Sequence, residues 1–221
     1  MAEMHDATEE YLETILELEE EGIRPIRARL VERLGVSAPS VSEQVNRLVD
    51  GGYTELMDDR SLRLTSKGRE LATSVVRRHR LAERLLVDVI GLEWEKVHRE
   101  ADRWEHAISA DVEAKLVELL GDPATCPHGN PIPGTRRAAP HGNHTPLVEA
   151  LPGPVTVARI SEKLELDDAA LTLLVEAALI PGEHAVVMSV TPTGVTLSTG
   201  SGEHTVPDAV ARLMWVSPAA N

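Results

Sequence analysis

The stretch Ile26-Arg27-Ala28-Arg29-Leu30-Val31-Glu32-Arg33-Leu34-Gly35-Val36-Ser37-Ala38-Pro39-Ser40-Val41-Ser42 reads as one short helix, a tight turn and the start of a second helix. Ile26, Leu30, Val31 and Leu34 recur at helical spacing, and Gly35 closes the segment. Ser37 is a natural N-cap, and Pro39 falls in the first turn, where a missing N–H costs nothing. Val41, Val45, Leu48 and Val49 continue the apolar face until Gly51-Gly52 stops it. Two short helices around a tight glycine-containing turn predict a helix-turn-helix. Directly after it, 53–57 and 61–64 read as two strands around Asp58-Asp59-Arg60, a small hairpin. Helix-turn-helix plus hairpin predicts a winged helix. Its second helix shows Ser37, Ala38, Pro39, Ser40, Glu43, Gln44 and Arg47 outward. Arg27, Arg29, Arg47, Arg60, Arg63 and Lys67 come from the same side of the unit and favour DNA over a protein partner. The candidate DNA contacts are Arg27, Ser37, Ala38, Pro39, Ser40, Ser42, Arg47 and Arg60.

Upstream, 6–21 reads as a helix with Asp6 or Thr8 available as cap, Tyr11, Leu12, Ile15, Leu16 and Leu18 facing inward, and Gly22 at its end. Downstream, a long helix is expected from 65 to about 91, another from about 94 through His106, and a third over 110–120. In the middle one, His98, Asp102, Glu105 and His106 fall on one arc of a helix beside the apolar stripe Val97, Ala101, Trp104 and Ile108. Imidazoles and carboxylates lined along one buried edge suit a divalent cation. His79 and Glu83 form a second pair at i, i+4, and Glu10 and Glu13 a third at i, i+3. These pairs predict a metal held between three helices. Amphipathic helices behind a DNA-binding unit also predict a dimerisation layer, since a winged helix usually needs a two-fold partner to read a palindrome.

Residues 122–145 are rich in proline and glycine and read as a linker carrying Cys126, His128, His141 and His144. Cys126 and His128 invite a zinc reading, but no second cysteine accompanies them, and a structural role is the simpler one. From 146 onward the character changes to short β-branched runs (155–160, 185–190, 194–197) around one amphipathic segment, 167–179. This predicts a small SH3-like β-barrel. The resulting partition is 1–72 winged helix-turn-helix, 73–121 helical dimerisation and metal-binding domain, 122–145 linker and 146–221 SH3-like domain. The fold class is mainly α with a small β domain.

Composition bounds the function. A net charge of −14 excludes a protein that coats nucleic acid indiscriminately. Residues 22–70, however, carry nine Lys+Arg against seven Asp+Glu, whereas 146–221 carry three against nine. The single cysteine excludes an intramolecular disulfide and suits a reducing cytoplasm. No signal-peptide pattern or transmembrane run is present, so a cytoplasmic protein without membrane partners is expected. No nucleophile constellation or phosphate-cradling loop points to an enzyme.

Specific stretches resemble the DtxR family of metal-dependent repressors. They are Leu18-Glu19-Glu20-Glu21-Gly22, Arg27-Ala28-Arg29, Ser37-Ala38-Pro39, Asp59-Arg60-Ser61-Leu62, His79-Arg80-Leu81-Ala82-Glu83-Arg84-Leu85-Leu86, Trp104-Glu105-His106 and Gly129-Asn130-Pro131-Ile132-Pro133-Gly134. The resemblance runs over 1–134 and weakens over 146–221. It implies a primary metal site on Glu10, Asp102, Glu105 and His106. It also implies an ancillary site on His79, Glu83 and His98, completed from the C-terminal domain at Asp167, with Ala170 unable to ligate. Carboxylates at Glu10 and Asp102 stand where iron-type members have methionine and cysteine, so the chain is most similar to manganese-responsive MntR-type members. Harder oxygen ligation suits Mn(II). The expected function is a Mn(II)-activated repressor, with Fe(II) as the other activator considered, that binds palindromic double-stranded operators of metal-uptake genes as a homodimer. An iron-dependent repressor of the same family is the alternative. A metalloenzyme using the His and carboxylate groups, or a metal-buffering adaptor, are the alternatives from other classes.

Overall fold

The computed structural model describes residues 2–137 and 144–219; His141 lies outside them. The chain forms two compact units, Met1–Arg78 with Glu105–Ala107, and His79–Trp104 with Ile108–Asn221. The division falls within one helix, between Arg78 and His79.

In the first unit α1 (Ala2–Glu20) is followed by α2 (Arg27–Leu34), α3 (Ala38–Asp50), β1 (Thr54–Leu56), β2 (Leu62–Leu64) and the start of α4 (Ser66–Leu85). Gly35 caps α2 in the left-handed conformation at φ 66°, and Ser37 caps α3 through its side chain, accepting from the Ser40 N–H. The two local signals therefore set the turn between the helices as expected. β1 and β2 pair antiparallel, Thr54 opposite Leu64 and Leu56 opposite Leu62. Leu12 and Ile15 of α1, Leu30 of α2, Val41, Val45 and Leu48 of α3, Leu62 of β2, and Ala72 and Val76 of α4 form one buried core. Two expectations change here. α1 begins at Ala2, so Asp6 and Thr8 lie inside it rather than at its N-cap position. Gln44 turns inward and its amide donates to Thr8 Oγ1 at 3.4 Å.

In the second unit α4 ends in a π turn, Leu86–Ile90, closed by Gly91 at φ 79°. A 3-10 turn (Trp94–Lys96) leads into α5 (Val97–Trp104), and α6 (Ala110–Leu120) follows. Leu81, Ala82, Leu86, Val97, Ala101, Ile108, Leu116 and Ile132 form the helical core. Ile132 belongs to the stretch expected as a linker. Residues 122–137 are instead packed: Cys126 N–H donates to Asn130 O at 2.8 Å, Ile132 N–H to Ala124 O at 2.9 Å, and Cys126, His128, Asn130 and Ile132 are buried. Their backbone polar groups are satisfied locally, which a loose linker would not require.

The remainder is a six-stranded antiparallel sheet in the order β3-β8-β4-β5-β6-β7, formed by Thr145–Pro146, Met214–Pro218, Gly153–Ile160, His184–Thr191, Gly194–Thr199 and Gly202–Pro207. The short helices α7 (Glu162–Glu165), α8 (Asp168–Glu176) and α9 (Asp208–Ala211) cover it, and Leu147, Val157, Ile160, Leu171, Leu174, Val187, Leu197 and Val216 fill its core.

Candidate metal centre and DNA-facing surface

The second unit gathers seven potential ligands into one buried cluster. His79 and Glu83 come from adjacent turns of α4, His98 from α5, Cys126 and His128 from the packed 122–137 segment, and Glu162 and Glu165 from α7. Three overlapping sets each have ligand atoms within 4.8 Å of one another: His79, Glu83 and His98; Glu83, Cys126 and His128; His98, Glu162 and Glu165. Glu83 Oε1 lies 3.0 Å from His128 Nδ1, 3.4 Å from His79 Nε2 and 3.6 Å from His98 Nδ1. Asp102 Oδ1 approaches from the open side, 3.4 Å from His79 Nδ1 and 3.8 Å from His98 Nε2.

The donors fit a divalent cation, because several are left incomplete by protein groups alone. Glu83 Oε2, Glu162 Oε2 and His128 Nε2 are buried without a hydrogen-bond partner among the described residues. Glu165 Oε2 is 2.7 Å from His128 Nδ1 and 3.1 Å from His98 Nδ1, but lacks the alignment of a hydrogen bond. Buried polar atoms in such numbers are costly unless something else completes them. Arg80, 1% exposed, offsets part of the acid: its guanidinium donates to Glu162 Oε1 at 3.0 Å and to the Pro131 carbonyl at 2.5 Å. Asn130 donates to Glu165 Oε1 at 3.0 Å.

Electrostatics follow from the crowding. Burial disfavours the charge on Glu83, but His128 and His79 outweigh it and hold the carboxyl well below its usual range. Burial likewise opposes charge on His98 and His128, yet Glu165 and Glu83 raise both well above the usual imidazole value. Burial, reinforced by Glu162, pushes Glu165 up to about 7. Burial and then the charge of Glu83 push the Cys126 thiol up. An entering cation must therefore displace protons, as metal sites of this kind require.

The helical stripe expected through His106 divides. α5 ends at Trp104, and Glu105–Ala107 form a turn belonging to the first unit. There His106 Nδ1 meets Glu9 Oε2 at 2.8 Å and Nε2 lies 3.3 Å from Glu105 Oε1. Arg78 stands 3.8 Å from Glu9. Glu13 and Glu105 place carboxylate oxygens within 4.8 Å of each other. Glu10 is also in this unit, on α1, and its carbonyl accepts from Thr14 Oγ1. Asp102 belongs to the second unit. Asp167 is engaged otherwise than expected: its Oδ1 caps α8 by accepting from the Ala169 and Ala170 N–H groups. The acids that α7 turns toward His98 are Glu162 and Glu165, one helical turn nearer the N-terminus. Sequence reasoning passed over both, and read Cys126 and His128 as structural; the i, i+3 spacing of the two glutamates was the available signal.

The candidate DNA contacts lie in the first unit. Ala38, Pro39, Ser40 and Arg47 are exposed on α3, and Ser42 bonds back to the Ala38 carbonyl at 2.9 Å. Arg27 donates to Asn46 Oδ1 at 3.1 Å, which fixes α2 against α3. Arg60 occupies the hairpin tip at φ 67°, exposed and with no ion-pair partner among the described residues. Arg24, Arg29 and Arg63 on the same unit are each paired with a carboxylate.

Residues 3–62 match the model of the iron dependent repressor N-terminal DNA binding domain, and residues 65–134 that of the iron dependent repressor metal binding and dimerisation domain. The chain is 45% identical to the iron-dependent repressor IdeR of Mycobacterium tuberculosis, over 98% of this chain and 99% of that one. It is 43% identical to the diphtheria toxin repressor of Corynebacterium diphtheriae, over 85% and 87% of the two chains. A solved manganese-dependent transcriptional repressor in complex with manganese superposes with a TM-score of 0.83 at 31% identity, over 96% of this chain and all of that one. The manganese regulator SloR superposes at 0.80 with 26% identity, over 96% and 98%. These are DNA-binding regulators rather than enzymes, and the chain belongs to the iron-dependent repressor family, the metal-dependent transcriptional repressors of the DtxR type.

Proposed function

We propose that this repressor responds to Mn(II), with Fe(II) as its other activator, and that it binds palindromic double-stranded operators of metal-uptake genes as a homodimer. The observation that carries the reading is the ligand chemistry. Glu10, Asp102, Glu105 and His106 are assigned to a primary site by resemblance, an oxygen-rich set that suits Mn(II) more than softer ions. A cation shared by Glu10, Glu105 and His106 would tie α1 to the 105–107 turn. The ancillary site is proposed to comprise His79, Glu83 and His98 with Glu162 and Glu165 in the place first given to Asp167, and with Cys126 and His128 beside them. Bound there, a divalent ion supplies positive charge to a cluster that otherwise draws it from protons and Arg80. The residues' own part is to present lone pairs from four elements and exclude water. Residues 1–72 are taken as the DNA-binding domain, 73–121 as the dimerisation and metal-binding layer, and 146–221 as the domain supplying α7. No helix among the described residues is long and apolar enough to cross a membrane; the cytoplasm is the proposed location.

Metal should shift an equilibrium between DNA-competent and incompetent forms rather than create a surface. Affinity of the full chain for a duplex carrying its own promoter should fall about 5- to 150-fold when Mn(II) is replaced by a chelator. Equal affinity in both conditions overturns the gating. Running Fe(II) anaerobically in parallel ranks the two ions.

The basic residues separate by role. Arg60→Ala should weaken binding to all sequences alike and lower the salt slope by about one phosphate contact, whereas Arg47, ion-paired one helical turn from Glu43, should contribute less to the slope. Anisotropy titrations over a range of salt concentrations, on specific and unrelated duplexes, check this. An effect limited to one base pair would reassign Arg60 to base reading.

A further inference from the structure

α3 carries a carboxylate at the middle of the surface that should face a polyanion. The outward positions of its first three turns are Ala38, Pro39, Ser40, Glu43, Asn46 and Arg47. At about 100° per residue, Glu43 falls at the centre of that arc, with Pro39 and Asn46 to one side and Ser40 and Arg47 to the other. Its side chain is 67% exposed, so no packing demand explains it. An unpaired acid here would repel phosphate and weaken binding to every sequence.

The geometry removes most of that penalty. Arg47 Nη2 donates to Glu43 Oε1 at 2.6 Å, one helical turn away. The pair neutralises the charge and holds the side chain along the helix. Glu43 Oε2 is left with no hydrogen-bond partner among the described residues. In the major groove a carboxylate has one good complement, the exocyclic amino group of cytosine, which donates to it. The N-terminal part of a recognition helix is the part that meets base edges, and Glu43 lies in the second turn after the Ser37 cap. Asp50, the other acid on this face, sits at the C-terminal end and is placed away from the bases.

We propose that Glu43 is a specificity-determining residue that reads a cytosine in each operator half-site, with Arg47 as the residue that positions it. This rests on the reading of α3 as the recognition helix and adds the base it reads. The test is selection of random-sequence duplex DNA by the full-length protein with Mn(II), wild type beside Glu43→Gln and Glu43→Ala. Anisotropy titrations of the enriched duplex and its single-base variants follow. Wild type should prefer cytosine at one position of each half-site and lose about ten- to a hundredfold in affinity when that pair is changed. Glu43→Gln should move the preference there to adenine, which a carboxamide reads through N6 and N7. Glu43→Ala should flatten that position while raising affinity for unrelated DNA. If all three proteins enrich the same bases, and the variants merely bind all DNA more tightly, Glu43 only repels phosphate and the proposal is wrong. If wild type enriches no motif, the recognition-helix reading fails and this one with it.

Discussion

Glu83→Ala should destabilise the metal-free protein by about 3–5 kcal/mol, because it strips the counter-charge from buried imidazoles while leaving them in place. Glu83 is fully buried and stands within 3.6 Å of His79, His98 and His128. The pH dependence has a defined sign. A carboxyl held below its ordinary value of 4.5 stabilises fully above that value, and the contribution is lost as pH falls through the folded value. Histidines raised above 6.5 stabilise fully below that value, and the contribution is lost as pH rises through their folded values. The gap between wild type and variant should therefore be widest between 4.5 and 6.5 and narrow on either side. Urea unfolding of both proteins in chelator across that range measures it. A gap below about 1 kcal/mol in the window would mean that the cluster is not ionised as described. Calorimetric titration with Mn(II) gives the second arm: the variant should lose the ancillary binding event and retain the primary one.

Gly129→Ala should cost about 3–5 kcal/mol and loosen the same cluster without altering any ligand. Gly129 adopts φ 87°, where a side chain is strained, and a Cβ there would overlap the Ala158 carbonyl oxygen and lie 2.8 Å from Arg159 Cα. Both obstacles are backbone of β4 and cannot rotate away. The close approach exists because Ile160 N–H donates to the His128 carbonyl at 3.0 Å, stitching the 126–130 turn to the strand. Forcing the turn off β4 withdraws His128 and Asn130 together, so Mn(II) affinity at the ancillary site should fall with stability. Denaturation midpoints and calorimetry are the readouts; a variant with wild-type stability would show that the turn is not held against β4.

The winged helix was legible because its signals are local. Gly35 in the left-handed region, the Ser37 cap and the first-turn Pro39 each act within four residues, and the apolar spacing of α2 and α3 fixes which face is buried. The metal cluster was legible only in part. His79 and Glu83 share a helix face, so spacing alone pairs them. The helix expected to run through His106 stops short because α5 ends at Trp104, with no glycine or proline to announce it. The acids of α7 were missed for another reason. Glu162 and Glu165 have the right spacing, but so do Asp167 and Ala170 one turn later, and the N-cap preference of Asp167 is visible only once α8 is placed. Cys126 and His128 sit in a stretch whose prolines and glycines read as a linker; the packing that buries them comes from Ile132 and β4, far away in sequence.

Burial of the proposed ancillary ligands has a kinetic consequence. Glu83 and His128 are wholly shielded from solvent, His79, Cys126 and Glu165 nearly so. An ion held by them as proposed should exchange only as their surroundings open locally, and such openings are far slower than side-chain motion. Exchange is then timed by the protein rather than by diffusion of the ion. A repressor built this way should average over swings in metal supply that are briefer than those openings.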